Sequence, residues 1–103
     1  MHEKQILVLI KEPGKPAQLE PLFDNTLEAF QEAVGGYIET VSFDNFVIIC
    51  NEEGRLLGLE PNVTIQGIDF CGTILAVGVK KDEFASLKAA VVPKVWKLLE
   101  EGK

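Results

Sequence analysis

Few residues in this chain have types and spacings that could do chemistry. Arg55 is the lone cation among residues 16–79, a stretch that carries ten acids. A guanidinium there can hold a carboxylate or phosphate through two parallel N–H donors. It can also pair with Glu53, Glu60 or another surface acid at little energetic value. Asn51 and Asn62 lie on either side of it and carry amides able to read a polar ligand, although the same amides also satisfy turns. Glu60 belongs to Gly58-Leu59-Glu60-Pro61-Asn62, a polar loop between apolar segments, and loops carry binding residues more often than strands do. Lys11 and Lys15 are the other cations a ligand site around Arg55 would recruit. Trp96, flanked by Lys94 and Lys97, suits an interface anchor or an indole that covers the core with its edge at the surface.

The chemistry that is missing says more. The only histidine, His2, stands beside Met1, where chains usually fray. Any Ser-His-Asp or Cys-His arrangement would have to use it. Cysteine and histidine have no metal-ligand spacing. Neither GxxxxGK[ST] nor GxGxxG occurs, and Gly14-Lys15 runs into Pro16 as a turn. Glu52 and Glu53 share a tight turn in which both are solvated, whereas a catalytic carboxylate needs burial to raise its pKa. The expectation is a protein that is not an enzyme, with no catalytic residues, no cofactor and no metal.

A chain of 103 residues fits one domain, spanning 1–103, that buries roughly 60–70% of its unfolded surface. With 47% hydrophobic and 25% charged residues it reads as globular rather than disordered. No stretch approaches the ~18 apolar residues of a membrane span. The run Ile6–Ile10 is too short for a signal-peptide core and leads straight into Lys11-Glu12. Cys50 and Cys71 each sit in an apolar segment and read as buried reduced thiols, which fits a cytoplasmic setting. The net charge of −6 is uneven, because residues 80–103 carry six lysines against four acids. An acidic middle opposes phosphate-backbone binding, so nucleic acid is an unlikely partner. It favours solubility or a basic protein partner.

These residues need elements to position them. Gln5–Ile10 is a β-branched apolar run and predicts a central strand. Gln18–Phe23 predicts an edge strand, since Pro21 lacks a ladder donor. Asn25 and Glu28 resemble a capping box for a helix over Thr26–Val34, with Leu27, Phe30 and Val34 as its apolar stripe. Gly35-Gly36 stops it. Tyr37–Phe43 and Phe46–Asn51 predict a hairpin about Asp44-Asn45. Arg55–Leu59 reads as a short returning strand, Val63–Ile65 as a brief one, and Gly72–Val79 as the last. Ser86–Glu101 reads as helix with Leu87, Val91, Val95 and Leu98 inward, kinked or begun afresh near Pro93. The fold class is α+β: a mainly antiparallel sheet of five to six strands, a short internal helix and a C-terminal helix, with both helices on one face.

Three stretches carry a family resemblance. They are Asp24-Asn25-Thr26-Leu27-Glu28-Ala29-Phe30-Gln31-Glu32-Ala33-Val34-Gly35-Gly36-Tyr37-Ile38-Glu39, then Ile49-Cys50-Asn51-Glu52-Glu53-Gly54-Arg55-Leu56-Leu57-Gly58-Leu59-Glu60-Pro61-Asn62, then Gly72-Thr73-Ile74-Leu75-Ala76-Val77-Gly78. In this order the chain resembles a bacterial family, domain of unknown function 3846, from about Gln5 to Phe84. The resemblance implies a cytoplasmic protein of Gram-positive bacteria, their phages or their mobile elements. It brings no established activity, cofactor or catalytic residue.

Three functional readings follow. The first is a non-catalytic accessory or interaction module that binds a protein partner or a second copy of itself. It rests on the acidic middle, on Trp96 and on the missing chemistry. The second is a small-ligand binder for a nucleotide-like molecule, built from Asn51, Arg55, Asn62 and Lys11 or Lys15 around a cleft. The third is an acidic mimic of nucleic acid that blocks a DNA-binding enzyme.

Overall fold

The first, second and seventh strands illustrate why the chain folds as it does. β1 (Gln5–Lys11) and β2 (Gln18–Asp24) form an antiparallel hairpin, and β1 pairs on its other side with β7 (Ile74–Lys80). The architecture is that of a computed structural model, which describes residues 3–101. β3 (Ile38–Ser42) and β4 (Val47–Asn51) make a second hairpin, and β4 joins β7. The sheet order is β2-β1-β7-β4-β3, every pairing is antiparallel, and a six-stranded sheet results when β8 (Glu83–Ala85) pairs with the end of β7. β5 (Pro61–Ile65) and β6 (Ile68–Cys71) form a separate two-stranded sheet. The expected α+β class and the edge position of β2 both hold.

The two helices lie on opposite faces, which corrects the one-face expectation. All five residues of β4 and the first five of β7 are buried. Strand side chains alternate between faces, so two apolar faces must be covered. Ile6, Val8, Val47, Ile49, Leu75 and Val77 form one cluster with Phe30 and Val34 of α1 (Leu27–Val34). On the other face, the cluster joins Leu9, Ile48 and Ile74 to Val63, Ile65 and Phe70 of the β5–β6 hairpin and to Val95 and Leu99 of α2 (Val92–Glu101). Phe30 anchors α1 by stacking on Phe23 and meeting Phe84 edge-on, both at 5.3 Å between ring centroids, a geometry that adds to area burial.

Local details differ from the sequence pattern in instructive ways. The helix cap is Thr26, whose Oγ1 accepts from the Ala29 N–H at 3.1 Å. Asn25 is instead buried and donates its amide to the Glu3 and Phe84 carbonyls, joining β8 to the β2 end. Gly35, at φ 78°, closes α1 in the left-handed region as expected. β8 follows a two-residue turn, Lys81-Asp82, with both φ positive. Aspartate tolerates that region, whereas lysine is an uncommon choice for it. Leu87 lies outside any helix and donates its N–H to the Leu7 carbonyl. α2 begins only at Val92, with Pro93 in its first turn, where a missing N–H breaks no helical bond. Leu99 is buried in it and Leu98 only half-buried.

Gly78 sits where β7 meets the chain leaving β8. A Cβ there would lie far inside contact distance of the Ser86 carbonyl oxygen and 3.3 Å from that of Ala85. Both are backbone atoms and give way poorly. Gly78→Ala should lower stability by about 1–3 kcal/mol, seen as a reduced urea midpoint at unchanged slope. An unchanged midpoint would mean that this crossing is not tight.

Candidate functional site

The second apolar face is wider than the elements that cover it. The β5–β6 hairpin and α2 lie over its centre, and β3 at the sheet margin stays uncovered. Between β3 and β6 runs an open groove of about 410 Å³. Glu39 and Val41 of β3 form one wall, Cys50 of β4 lies at the floor, and Ile68, Phe70 and Cys71 of β6 form the other wall. Glu39 and Val41 face the same way as their register partners Cys50 and Ile48.

The end of the groove is the loop after β4. Instead of the expected strand over Arg55–Leu59, this segment winds into helical turns. The Leu57 N–H donates to the Glu53 carbonyl at 2.8 Å and that of Leu59 to Gly54 at 2.9 Å. These local bonds satisfy its backbone groups. The turns push Leu56 and Leu57 outward, and Leu56 is 82% exposed.

The predicted site residues divide between framework and surface. Arg55 is exposed on the groove rim, where its guanidinium donates to the Asp69 carbonyl at 3.4 Å. Asn51 borders the groove but is buried, and its amide is already used: Nδ2 donates to the Val34 carbonyl at 3.1 Å and Oδ1 accepts from the Glu53 N–H at 2.7 Å. It ties the end of α1 to the turn. Asn62 donates to the carbonyls of Lys11 and Gly72, both at 2.8 Å. The Lys11 ammonium, itself buried, donates to Asn62 Oδ1 and to the Glu12 carbonyl. Asn62 and Lys11 therefore lock the β5–β6 hairpin to β1. Lys15 pairs with Glu12 at 3.5 Å on the surface. Glu60 is exposed outside the groove, and its carbonyl accepts from Gly72. Trp96, on α2, is half-buried against the sheet core. Asn51 and Arg55 thus meet at the groove, Arg55 and Asn62 line a neighbouring pocket of about 320 Å³, and Lys11 reaches Asn62 from β1.

Groove members that the sequence did not single out are Glu39, Ile68 and Asp69, together with the exposed Leu56. Leu56 and Ile68 read as apolar positions whose exposure cannot be told from core without the fold, and Glu39 and Asp69 read as two more acids of an acidic stretch. Four acidic residues line the groove (Glu39, Glu52, Glu53 and Asp69, the last accepting from the Thr64 hydroxyl), with Arg55 as the one cation among the described lining residues. No group of three or more His, Cys, Asp or Glu among the described residues could hold a metal ion, and His2 lies outside them.

Cys50 and Cys71 are free thiols. Burial pushes the Cys50 thiol up to about 11, with Glu39 and then Cys71 adding to the effect. The thiolate is the reactive form. Iodoacetamide at pH 8 should therefore modify half-buried Cys71 before Cys50, as peptide mapping would read. The unfolded chain releases the Cys50 proton first, so stability should fall as pH rises from 9.0 towards about 11. Cys50→Ala should lose that part of the slope; an identical slope would refute the assignment. Asn51→Ala leaves the Val34 carbonyl and Glu53 N–H unpaired and should cost about 1–3 kcal/mol in chemical denaturation.

Among the described residues, no helix is long and apolar enough to cross a membrane. No curated protein and no solved structure matches the chain. A family model does, over residues 4–100 and so nearly the whole length, including the C-terminal helix that the sequence resemblance covered least. The chain belongs to the family described as Domain of unknown function (DUF3846).

Proposed function

We propose that this chain is a non-catalytic interaction module, an accessory protein of a bacterial cell, phage or mobile element that works in the cytoplasm and takes a protein partner in the groove between β3 and the β5–β6 hairpin. The observation that carries this reading is the groove's apolar rim. Leu56 and Ile68 line the groove and are 82% and 39% exposed, and Leu57, next to Leu56 in the chain, is 57% exposed. Large apolar side chains exposed together at a concave surface are typical of docking sites. Two free thiols fit a reducing compartment. A nucleotide-like ligand is the weaker reading, because four carboxylates around one arginine repel phosphate. For the same reason we place nucleic acid outside the partners of this groove.

The test compares partners co-purified from the native host by tagged wild-type protein, Leu56→Asp and Leu27→Asp. Leu27 is 54% exposed on α1, over the opposite face. A partner held by the groove should bind Leu56→Asp at least ~10-fold more weakly, equivalent to about 1.4 kcal/mol, and Leu27→Asp normally. Equal recovery with Leu56→Asp would reject the groove as the docking surface.

A further inference from the structure

The sheet has two free edges, and they are built differently. β2 carries Pro21, and its pairing with β1 is irregular between Ile6 and Val8. Proline and bulges both discourage a further strand from pairing. β3 has neither proline nor lysine, and its register with β4 is unbroken from Ile38 to Ser42.

Two backbone bonds set which way the β3 groups point. The Phe43 N–H donates to the Phe46 carbonyl, and the Glu52 N–H donates to that of Tyr37, both at 2.8 Å. Antiparallel ladders alternate between hydrogen-bonded and non-hydrogen-bonded pairs. Glu39 and Val41 therefore turn their N–H and C=O groups towards β4. Ile38, Thr40 and Ser42 turn theirs outward, to the free edge. The Glu39 and Val41 side chains project into the groove. The open ladder and the acidic groove are thus two sides of one strand.

We propose that β3 accepts an extended basic segment of a partner protein as an added strand, its Lys or Arg side chains lying over Glu39 and reaching the Glu52 and Glu53 carboxylates; this rests on the groove reading above. Main-chain bonds to Ile38, Thr40 and Ser42 supply register, and the groove supplies sequence preference. Charge selects the occupant. A second copy would bring two acidic grooves together at a chain charge of −6 each, which opposes self-pairing through this edge. Glu39 thus blocks the homodimer and favours a basic strand.

The experiment uses the full chain, isotopically labelled, with a capped peptide of about seven residues alternating Lys and Val, long enough to cover β3. Two comparison peptides replace Lys by Glu, or carry N-methyl groups on the residues that face β3. The Lys–Val peptide should slow amide exchange at Ile38, Thr40 and Ser42 at least ~10-fold at saturation. Its affinity should fall at least ~10-fold with the Glu–Val peptide, with N-methylation, and with Glu39→Lys in the protein, and should weaken as salt rises. N-methylation leaves the protein untouched, so that comparison is independent of folding. Equal binding of the N-methylated peptide would overturn strand addition, as would absence of Lys–Val binding. Shifts at Arg55 and Leu56 with unchanged exchange in β3 would also overturn it while leaving the groove reading intact, which stands or falls on Leu56→Asp. Concentration-dependent protection of β3 in the peptide-free protein would assign the edge to a second copy instead.

Discussion

Everything in this fold depends on three strands that are apolar on both faces. β1, β7 and β4 lie side by side at the centre of the sheet, and their side chains supply both buried clusters. A sheet of this kind must be covered twice. α1, with a single aromatic anchor at Phe30, suffices for one side. The other side takes α2 and the small β5–β6 hairpin together. The hairpin spans less than the sheet does, so the outermost strand is left uncovered. The groove is a direct result of that mismatch in width.

Holding the hairpin in place takes polar groups as well as apolar ones. Lys11 is buried on the hairpin side, where its ammonium finds a carbonyl and the Asn62 amide oxygen. Asn62 returns two donors to backbone carbonyls. Asn51 plays the same part between α1 and the turn after β4. Buried amides of this kind are stable only when their bonds are made, and no buried side-chain polar atom among the described residues lacks a partner. The residues that look most like ligand readers therefore serve as the frame of the groove. The groups left to meet a partner are exposed leucines, carboxylates and one arginine.

That division gives the groove its character. An acidic, apolar-rimmed trough beside an unpaired sheet edge offers shape, charge and main-chain bonding in one place. Cys50, on its floor, is held in the protonated, unreactive form by burial.

Much of this was legible in the residues themselves. Continuous apolar runs marked β1, β4 and β7; Gly35 and Pro93 marked where helices stop and start; Pro21 marked an edge. These features act through local backbone geometry and burial tendency, which a single chain carries with it. The placement of both helices on one face was wrong, although the unbroken apolar run of β4 already implied two covered faces. Asn25, Asn51 and Asn62 could not be assigned, since an amide capping a distant carbonyl and an amide awaiting a ligand have the same sequence. The coil of residues 55–59 was read as strand because its leucines have the same pattern in a strand and in tight turns, and at Lys81-Asp82 only the aspartate hinted at positive φ. The sequence by itself determined which segments are buried and where the chain turns. Only tertiary structure decided which buried face is left partly open, because that depends on the relative widths of elements far apart in the chain.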